Sequence, residues 1–282
     1  MNGACKNIAL VCPGGPISRE LANDVTALAA AEFGGVANLH FHDQCFLEAG
    51  HFAGGDAARS DAFLEAANDP KFDAIWFARG GYGANRLRDD LWGRLNEAAR
   101  DKTYLGYSDT GVILAHLYKN KLGRAVHGPM PTDLGRENGA AAVRRALEFF
   151  ATGRADGFES SIDAKTPVVA FNLVVLAHML ETAAMPDLSG HVIMIEDIGE
   201  YLYRVDRAMS AITANAGIRK AAGIRLGRIT DVPENDRPFG QTDEEIVQYW
   251  CARAGIPYLG RADIGHDADN KIVPFGRNGA AV

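Results

Sequence analysis

The sequence predicts an α/β protein, with a parallel sheet covered by helices on both faces and then a second, mixed α/β region. Short apolar runs recur through the first 127 residues, and stretches with helical periodicity separate them. Strands that alternate with helices form parallel sheets with right-handed crossovers. The alternation stops at a proline-containing break over residues 127–131, because proline fixes φ and lacks a backbone donor.

Five strands and four helices are predicted in order along the first region. The strands are short apolar runs, typical of buried parallel strands, at residues 7–12, 36–41, 74–77, 103–107 and 124–127. The helices have apolar residues at helical spacing and cover residues 19–32, 57–68, 85–99 and 111–120. A glycine-rich segment at residues 79–83 follows the third strand.

The second region follows a different pattern. An amphipathic helix over residues 139–152 is predicted to connect the two regions. Strands are then predicted at 191–195 and 223–229, helices at 203–214 and 242–254, and a short β-like run at 271–275. We therefore predict a first domain over residues 1–130, a connector over 131–160 and a second domain over 161–282.

The composition excludes several classes of protein. The chain has 282 residues, 47% hydrophobic and 23% charged, which is typical of a globular protein with a sizeable core. A net charge of −7 gives no electrostatic case for nucleic acid. No apolar run reaches the roughly 18 residues of a membrane span. The four cysteines show no CxxC spacing and the first residues no signal-peptide pattern, so we expect a cytoplasmic protein.

Ser108 is the first candidate for chemistry, because it lies where the fourth strand meets a helix. A hydroxyl is a poor nucleophile at neutral pH unless a base takes its proton. Gly106 permits a sharp turn, as in a nucleophile elbow, although Thr110 replaces the last glycine of the G-x-S-x-G pattern. A helix that begins after Ser108 would supply backbone N–H groups to a developing oxyanion. The alternative is that Ser108 only caps this helix.

A carboxylate and an imidazole accompany this serine. Glu196 is the first residue after the predicted strand 191–195, and His266 lies in a polar, glycine-bearing loop. Strand ends and loops of α/β proteins frequently carry catalytic groups. Asp197 and Glu200 compete with Glu196 for the role of the acid. The alternatives without chemistry are a solvated or capping acid and an exposed loop histidine.

The glycine-rich segment at residues 79–83 has three interpretations. It could be only a tight turn, or it could cradle a phosphate, although it lacks a complete G-x-G-x-x-G pattern. The third interpretation is that the backbone N–H of Gly80 or Gly81 provides a second donor of an oxyanion hole.

Two rival classes of function remain open. His40 and His42 share one face of a predicted strand, which would suit a metal-dependent hydrolase, but further ligands at recognisable spacing are missing. A non-catalytic ligand-binding protein is the second rival, since a fold does not dictate a function. A binding protein would not need a serine, a histidine and a carboxylate in this arrangement. We therefore favour a serine hydrolase with neither a metal nor a cofactor.

In this order, the motifs resemble those of the LD-carboxypeptidase family of serine peptidases, which also includes the microcin C immunity peptidases. The motifs are individually weak and jointly specific, and they span nearly the whole chain: Pro13-Gly14-Gly15-Pro16, Ala78-Arg79-Gly80-Gly81-Tyr82-Gly83, Gly106-Tyr107-Ser108-Asp109, His127-Gly128-Pro129-Met130, Ile195-Glu196-Asp197-Ile198-Gly199-Glu200, Tyr203 with Asp206-Arg207, Gly265-His266 and Pro274-Phe275-Gly276. Ala170-Phe171-Asn172 departs from the family's Gly-Gly-Asn-like segment, close to the expected substrate pocket.

The resemblance implies a flavodoxin-like N-terminal domain, a C-terminal swivelling β/α domain and a homodimer. It implies a triad in which Ser108 is the nucleophile, His266 the base and then the acid, and Glu196 the orienting carboxylate. The oxyanion hole would be formed by the backbone N–H groups of Asp109 and Gly81. The implied reaction releases terminal D-alanine from a murein tetrapeptide in wall recycling. The alternative is a related reaction on peptidyl or aminoacyl adenylates, as with microcin C.

An exopeptidase also needs a group that binds the free carboxylate of its peptide substrate. Arginine suits this task because its planar fork matches a carboxylate. Arg79 adjoins the proposed oxyanion glycines and Arg207 lies one helix from Glu196, so we rank Arg79 first. A structural ion pair is the alternative for each arginine. We place Gly80 and Tyr82 in the same substrate-binding site.

Overall fold

The protein is described by a computed structural model that covers residues 5–153 and 155–277. The strands are β1 (Lys6–Val11), β2 (Ala37–Phe41), β3 (Ala74–Phe77), β4 (Thr103–Gly106), β5 (Arg124–His127), β6 (Val168–Asn172), β7 (Val192–Ile198), β8 (Gly223–Thr230), β9 (Tyr258–Arg261) and β10 (Val273–Pro274). The helices are α1 (Arg19–Phe33), α2 (Asp56–Asn68), α3 (Glu97–Arg100), α4 (Gly111–Lys119), α5 (Gly139–Thr152), α6 (Leu173–Met179), α7 (Leu202–Ala214) and α8 (Asp243–Ala254).

Two sheets organise these elements, as the predicted fold class requires. The first has the order β10-β5-β4-β3-β1-β2, in which β1 to β5 are parallel and β10 is antiparallel to β5. The second has the order β6-β7-β8-β9 and is parallel throughout. The carboxyl ends of parallel strands share one edge of a sheet, so side chains that follow β3, β4 and β5 lie together.

The core follows from the alternation of side chains along β1. Ile8 and Leu10 pack in one apolar cluster with α1 and α5, whereas Ala9 and Val11 pack in another with α2 and α4. Successive strand residues point to opposite faces, so both faces of the first sheet are covered by helices. The second cluster continues into β6, β7 and β8, so the two sheets share apolar packing.

The predicted helix over residues 85–99 is wrong. The chain there forms 3₁₀ turns at Ala84–Arg86 and Asp89–Arg94 and only then the short α3. Side chains of α2 take the place of the helical hydrogen-bond ladder, because Ser60 Oγ accepts from Arg88 N at 3.0 Å and Asn68 Oδ1 accepts from Asn96 N at 2.8 Å. Local polar bonds of this kind compete with a regular helix.

The sequence analysis also missed β6, α6 and β9. Val168–Asn172 leads directly into Leu173–Met179, and the single polar residue Asn172 is all that separates the apolar strand from the apolar helix. Asn172 makes this boundary, because its side chain accepts from Val175 N at 3.0 Å and caps α6. β9 is a four-residue edge strand with no buried position.

The last strand connects the end of the described chain to the first sheet. Val273 pairs with His127, and Gly276 forms a bridge with Val168 of the second sheet. The limits proposed for the two domains stay a prediction. None of the helices in the described ranges is long and apolar enough to cross a membrane.

Candidate active site

Ser108 lies at a sharp turn between β4 and α4. Its φ angle is +59°, and it opens a 3₁₀ turn, Ser108–Thr110, that leads into α4. A left-handed conformation is uncommon for a residue with a side chain and costs roughly 1–2 kcal/mol. The N-cap of α4 is Thr110, not Ser108. The turn therefore has the strained strand-to-helix geometry of a nucleophile elbow.

Thr110 stabilises this turn, although it departs from the usual glycine. Its Oγ1 donates to Tyr107 O at 2.7 Å. A Cβ atom at Gly106 would lie 2.7 Å from Oγ1 of Thr110 and 2.8 Å from Cδ2 of Phe77. The close packing explains why glycine stands before the serine.

The glycine-rich segment after β3 lies directly beside Ser108. A Cβ atom at Gly80 would come within 3.1 Å of Cβ and 3.3 Å of Oγ of Ser108. The φ angle of Gly81 is +83°, which glycine adopts readily. Within the described part of the chain, the N–H groups of Gly81 and Asp109 have no hydrogen-bond acceptor. Two unpaired amides near a serine hydroxyl are what an oxyanion hole requires.

His266 and Glu196 form a buried pair. The Nδ1 atom of His266 lies 2.5 Å from Oε2 of Glu196, and the two residues are 6% and 0% exposed. Glu196 is inside β7 rather than beyond its end, so the predicted strand limit is wrong here. The register of β7 shifts between Ile195 and Asp197, and this irregularity accommodates a polar side chain within an apolar strand.

The pKa of His266 is raised above its usual 6.5. Burial acts in the opposite direction and is the largest influence, but the charge of Glu196 and its hydrogen bond to Nδ1 outweigh it. The carboxylate thus stabilises the imidazolium form. A hydrogen bond from Nδ1 to Glu196 also leaves Nε2 as the basic nitrogen.

The two competing acids are engaged elsewhere. Asp197 accepts hydrogen bonds from Asn172 Nδ2 at 2.7 Å and from Val174 N at 3.1 Å, so it joins β6, α6 and β7. Burial raises the pKa of Asp197 to about 6, and the charge of Glu196 adds to this effect. Glu200 pairs with Arg204 at 3.4 Å. Of these three acids, only Glu196 forms a hydrogen bond with His266.

The two residues that flank Ser108, Tyr107 and Asp109, lie close to His266. The ring of Tyr107 lies 4.7 Å from that of His266, measured between centroids, and its hydroxyl donates to Asp133 Oδ1 at 2.6 Å. Burial raises the pKa of Asp109, and His266 is close enough to oppose this effect by its charge. The structure thus brings His266 and Glu196 together beside the turn that carries Ser108.

Sequence reasoning missed the residues that hold the loop of His266. Asn270 Oδ1 lies 3.0 Å from Nε2 of His127 and accepts from Gly265 N at 3.3 Å. Arg145 Nη1 donates to the backbone oxygens of Ala268 and Asn270. These contacts tie the loop to β5 of the first region and to α5 of the connector. Only the motif around His127 offered a signal in the sequence.

Of the predicted substrate-binding residues, Gly80 is buried, whereas Arg79, Tyr82 and Arg207 are exposed. Arg79 Nη1 donates to Pro16 O at 2.8 Å. Tyr82 is 51% exposed, and its ring lies 6.2 Å from that of Phe52. Arg207 lies on α7, with its guanidinium 5.6 Å from the ring of Tyr203. The roles of these residues, with those of the triad and the oxyanion hole, stay predictions.

His40 and His42 contact different neighbours. His42 accepts from Gln44 N with Nδ1 at 3.1 Å, and its Nε2 lies 3.1 Å from Glu65 Oε2. The ring of His40 packs against Phe72. In the described ranges, no group of three potential ligands has the geometry to hold a metal ion. The residues give a metal-dependent hydrolase no support.

The two α/β sheets and the serine at the sharp turn after β4 are typical of a serine-type hydrolase. The LD-carboxypeptidase N-terminal domain model matches residues 8–128, and the LD-carboxypeptidase C-terminal domain model matches residues 165–280. The chain belongs to the LD-carboxypeptidase family and is a carboxypeptidase, which confirms the resemblance noted in the sequence.

Two relatives of known name align with most of the chain. A Synechocystis protein named as a carboxypeptidase is 33% identical over 80% of this chain and 75% of its own. The murein tetrapeptide carboxypeptidase of Pseudomonas aeruginosa is 27% identical over 96% of this chain and 91% of its own.

Two solved structures share the fold. The muramoyltetrapeptide carboxypeptidase from Oxalobacter formigenes has a TM-score of 0.79 at 24% identity and covers 96% of this chain and 93% of its own. The microcin C7 self immunity protein MccF has a TM-score of 0.76 at 18% identity and covers 98% and 97%, respectively. At these identities, the likeness concerns the fold.

Proposed function

We propose that the enzyme is a serine carboxypeptidase in which Ser108, His266 and Glu196 hydrolyse an L,D-peptide bond and release terminal D-alanine from murein tetrapeptides. The observation that carries the proposal is the strained turn at Ser108, beside both Gly80 and the buried His266–Glu196 pair. The name of the Pseudomonas relative supports this choice of substrate.

The chemistry has two stages. His266 Nε2 takes the proton of Ser108 Oγ as the oxygen attacks the scissile carbonyl carbon, and the oxyanion accepts from the amides of Gly81 and Asp109. The proton passes to the leaving amine as the C–N bond breaks, which leaves an acyl-enzyme. A water molecule then repeats the attack, with His266 as base, and Ser108 regains its proton. Glu196 keeps the imidazole oriented and stabilises its charged form.

The substrate is tested with murein tripeptide, tetrapeptide and pentapeptide, analysed by mass spectrometry of the products. We expect loss of one alanine from the tetrapeptide alone. The matched control is the tetrapeptide that ends in L-alanine, which should stay intact. An aminoacyl adenylate completes the panel, and its cleavage without cleavage of the tetrapeptide would refute the murein assignment.

Arg79 should bind the terminal carboxylate. Replacing Arg79 with methionine should raise KM for the free-acid tetrapeptide about tenfold, the loss expected for one hydrogen bond to a charged group. The preference over the C-terminally amidated peptide should shrink by the same factor. Arg207→Met tests the second candidate, which is also exposed and lies on α7, and a smaller preference in this variant alone would assign the role to Arg207. If neither variant changes the preference, another group binds the carboxylate.

We also propose that the enzyme is a homodimer and acts in the cytoplasm. The resemblance to the family supports the dimer, and four cysteines that are all free suit a reducing compartment. Light scattering during size-exclusion chromatography tests the first statement, with a monomer mass as the contrary result. Fractionation of the cells tests the second.

A further inference from the structure

Arg59 is a buried arginine that the proposed mechanism does not use. It lies in the first turn of α2 and is 1% exposed. Its Nη1 donates to two backbone oxygens, those of Pro13 at 2.5 Å and Gly83 at 2.7 Å, while Nη2 pairs with Asp56. A buried guanidinium costs desolvation energy that an ion pair alone repays poorly. The burial of Arg59 and its contacts with the two carbonyl groups therefore require an explanation other than stabilisation of the fold.

These two carbonyl groups belong to segments that pack against each other beside Ser108. A Cβ atom at Gly14 would lie 2.2 Å from Gly81 O and 2.9 Å from Gly80 O. Gly80 in turn lies so close to Ser108 that a Cβ atom on it would come within 3.1 Å of Cβ of Ser108. The chain from Gly80 to Gly83 thus lies between the turn after β1 and Ser108, and Arg59 bridges the two layers at Gly83.

The backbone of this segment is conformationally flexible, because it contains three glycines, Gly80, Gly81 and Gly83. Gly81 and Gly83 have φ angles of +83° and +149°, and glycine has little steric preference among such conformations. An oxyanion donor is effective only when its direction is fixed before the reaction. The direction of the Gly81 N–H therefore has to be set from outside the segment.

We propose that Arg59 is a positioning residue for the oxyanion hole. Its Nη1 holds the carbonyl groups of both Pro13 and Gly83. The first contact fixes the turn at Gly14, which packs on the carbonyl groups of Gly80 and Gly81, and the second fixes the end of the glycine-rich segment. Together they hold the Gly80–Gly81 peptide, so that the Gly81 N–H is directed toward the reacting carbonyl oxygen. The inference rests on the proposed function. In this arrangement α2 orients the glycine-rich segment, and it does so both directly at Gly83 and through the turn after β1.

Arg86 provides a matched control. It donates to the same Asp56, with Nη2 at 2.9 Å from Oδ2, and its guanidinium lies over the same ring, that of Phe52. Its side chain is half exposed, whereas that of Arg59 is fully buried. Arg86→Met therefore removes an arginine partner of Asp56 and leaves the two carbonyl contacts intact.

The test compares Arg59→Met, Arg59→Lys and Arg86→Met by kcat, KM and inhibition. The inhibitor is a peptide boronic acid, which forms a tetrahedral adduct with Ser108, and the product tripeptide serves as its planar counterpart. We expect Arg59→Met to lower kcat about 10- to 100-fold. KM and product binding should change less than threefold, and boronate binding should weaken as much as kcat falls. Lysine should restore most of kcat, and Arg86→Met should match the wild type.

Three results would overturn the inference: an unchanged kcat in Arg59→Met, an equal loss of boronate and product binding, or the same defect in Arg86→Met. If circular dichroism shows that Arg59→Met is unfolded, Arg59→Gln replaces it, because an amide is too short to bridge both carbonyl groups. Failure of the proposed function has a different signature. In that case the wild type would not bind the boronate, or Ser108→Ala would bind it equally well.

Discussion

Replacing Ser108 with alanine should lower kcat for the tetrapeptide by a factor of about a thousand or more, since the proposed acyl-enzyme forms on the Ser108 hydroxyl. The side chain of alanine keeps the Cβ atom, so the turn and its strain stay as they are. His266→Ala should cause a loss of similar size, and the double variant should be no worse than either single one, because the residues act as a unit. Product release measured by mass spectrometry is sensitive enough for the residual rate.

A second substitution at the same position separates catalysis from folding. Ser108→Gly should raise the free energy of unfolding by roughly 0.5–1 kcal/mol, because glycine accepts a φ of +59° without the steric cost but loses more backbone entropy on folding. Ser108→Ala should leave stability almost unchanged. Urea unfolding of the three proteins measures both effects. Normal turnover in Ser108→Ala would refute the nucleophile, and a less stable Ser108→Gly would refute the strained turn.

The sequence revealed the triad candidates because each stands out from its surroundings. Ser108 is a small polar residue between an apolar strand and an apolar helix, and Glu196 follows four apolar residues. The βαβ alternation was equally visible, and with it the first sheet. The order of the motifs then predicted the family.

The supporting contacts could not be predicted, because they join residues far apart in the chain. His127 and Asn270 are 143 residues apart, and Arg59 and Gly83 are 24 apart. Such pairs leave no local pattern in a single sequence. Glu196 was identified, but it was placed beyond the end of its strand. An irregularity in β7 allows a carboxylate inside the strand, where an apolar run followed by a polar residue predicts that the strand ends.

The pH dependence of the reaction should reveal the pairing of His266 with Glu196. The base has to be neutral, so kcat/KM should fall below the pKa of His266, with a midpoint above 6.5, because Glu196 raises that pKa. Glu196→Gln keeps an acceptor at Nδ1 but removes the charge. The lowering effect of burial is then no longer outweighed by the charge of Glu196, so the pKa of His266 falls and the midpoint should move below 6.5.

Two further readouts make this prediction strict. The plateau of kcat in Glu196→Gln should fall by a factor of about a hundred to ten thousand, since the imidazolium loses its stabilising partner. The stability of the wild type should depend on pH in the opposite direction to its activity, so that it falls as the pH rises. A folded-state pKa above the unfolded value of about 6.5 stabilises the wild type below that pH, and this contribution is lost as the pH rises through the folded pKa. In Glu196→Gln the dependence should reverse, because protonation of the buried imidazole would then oppose folding. An acid limb at the same pH in both proteins would show that Glu196 does not set the pKa of the catalytic base.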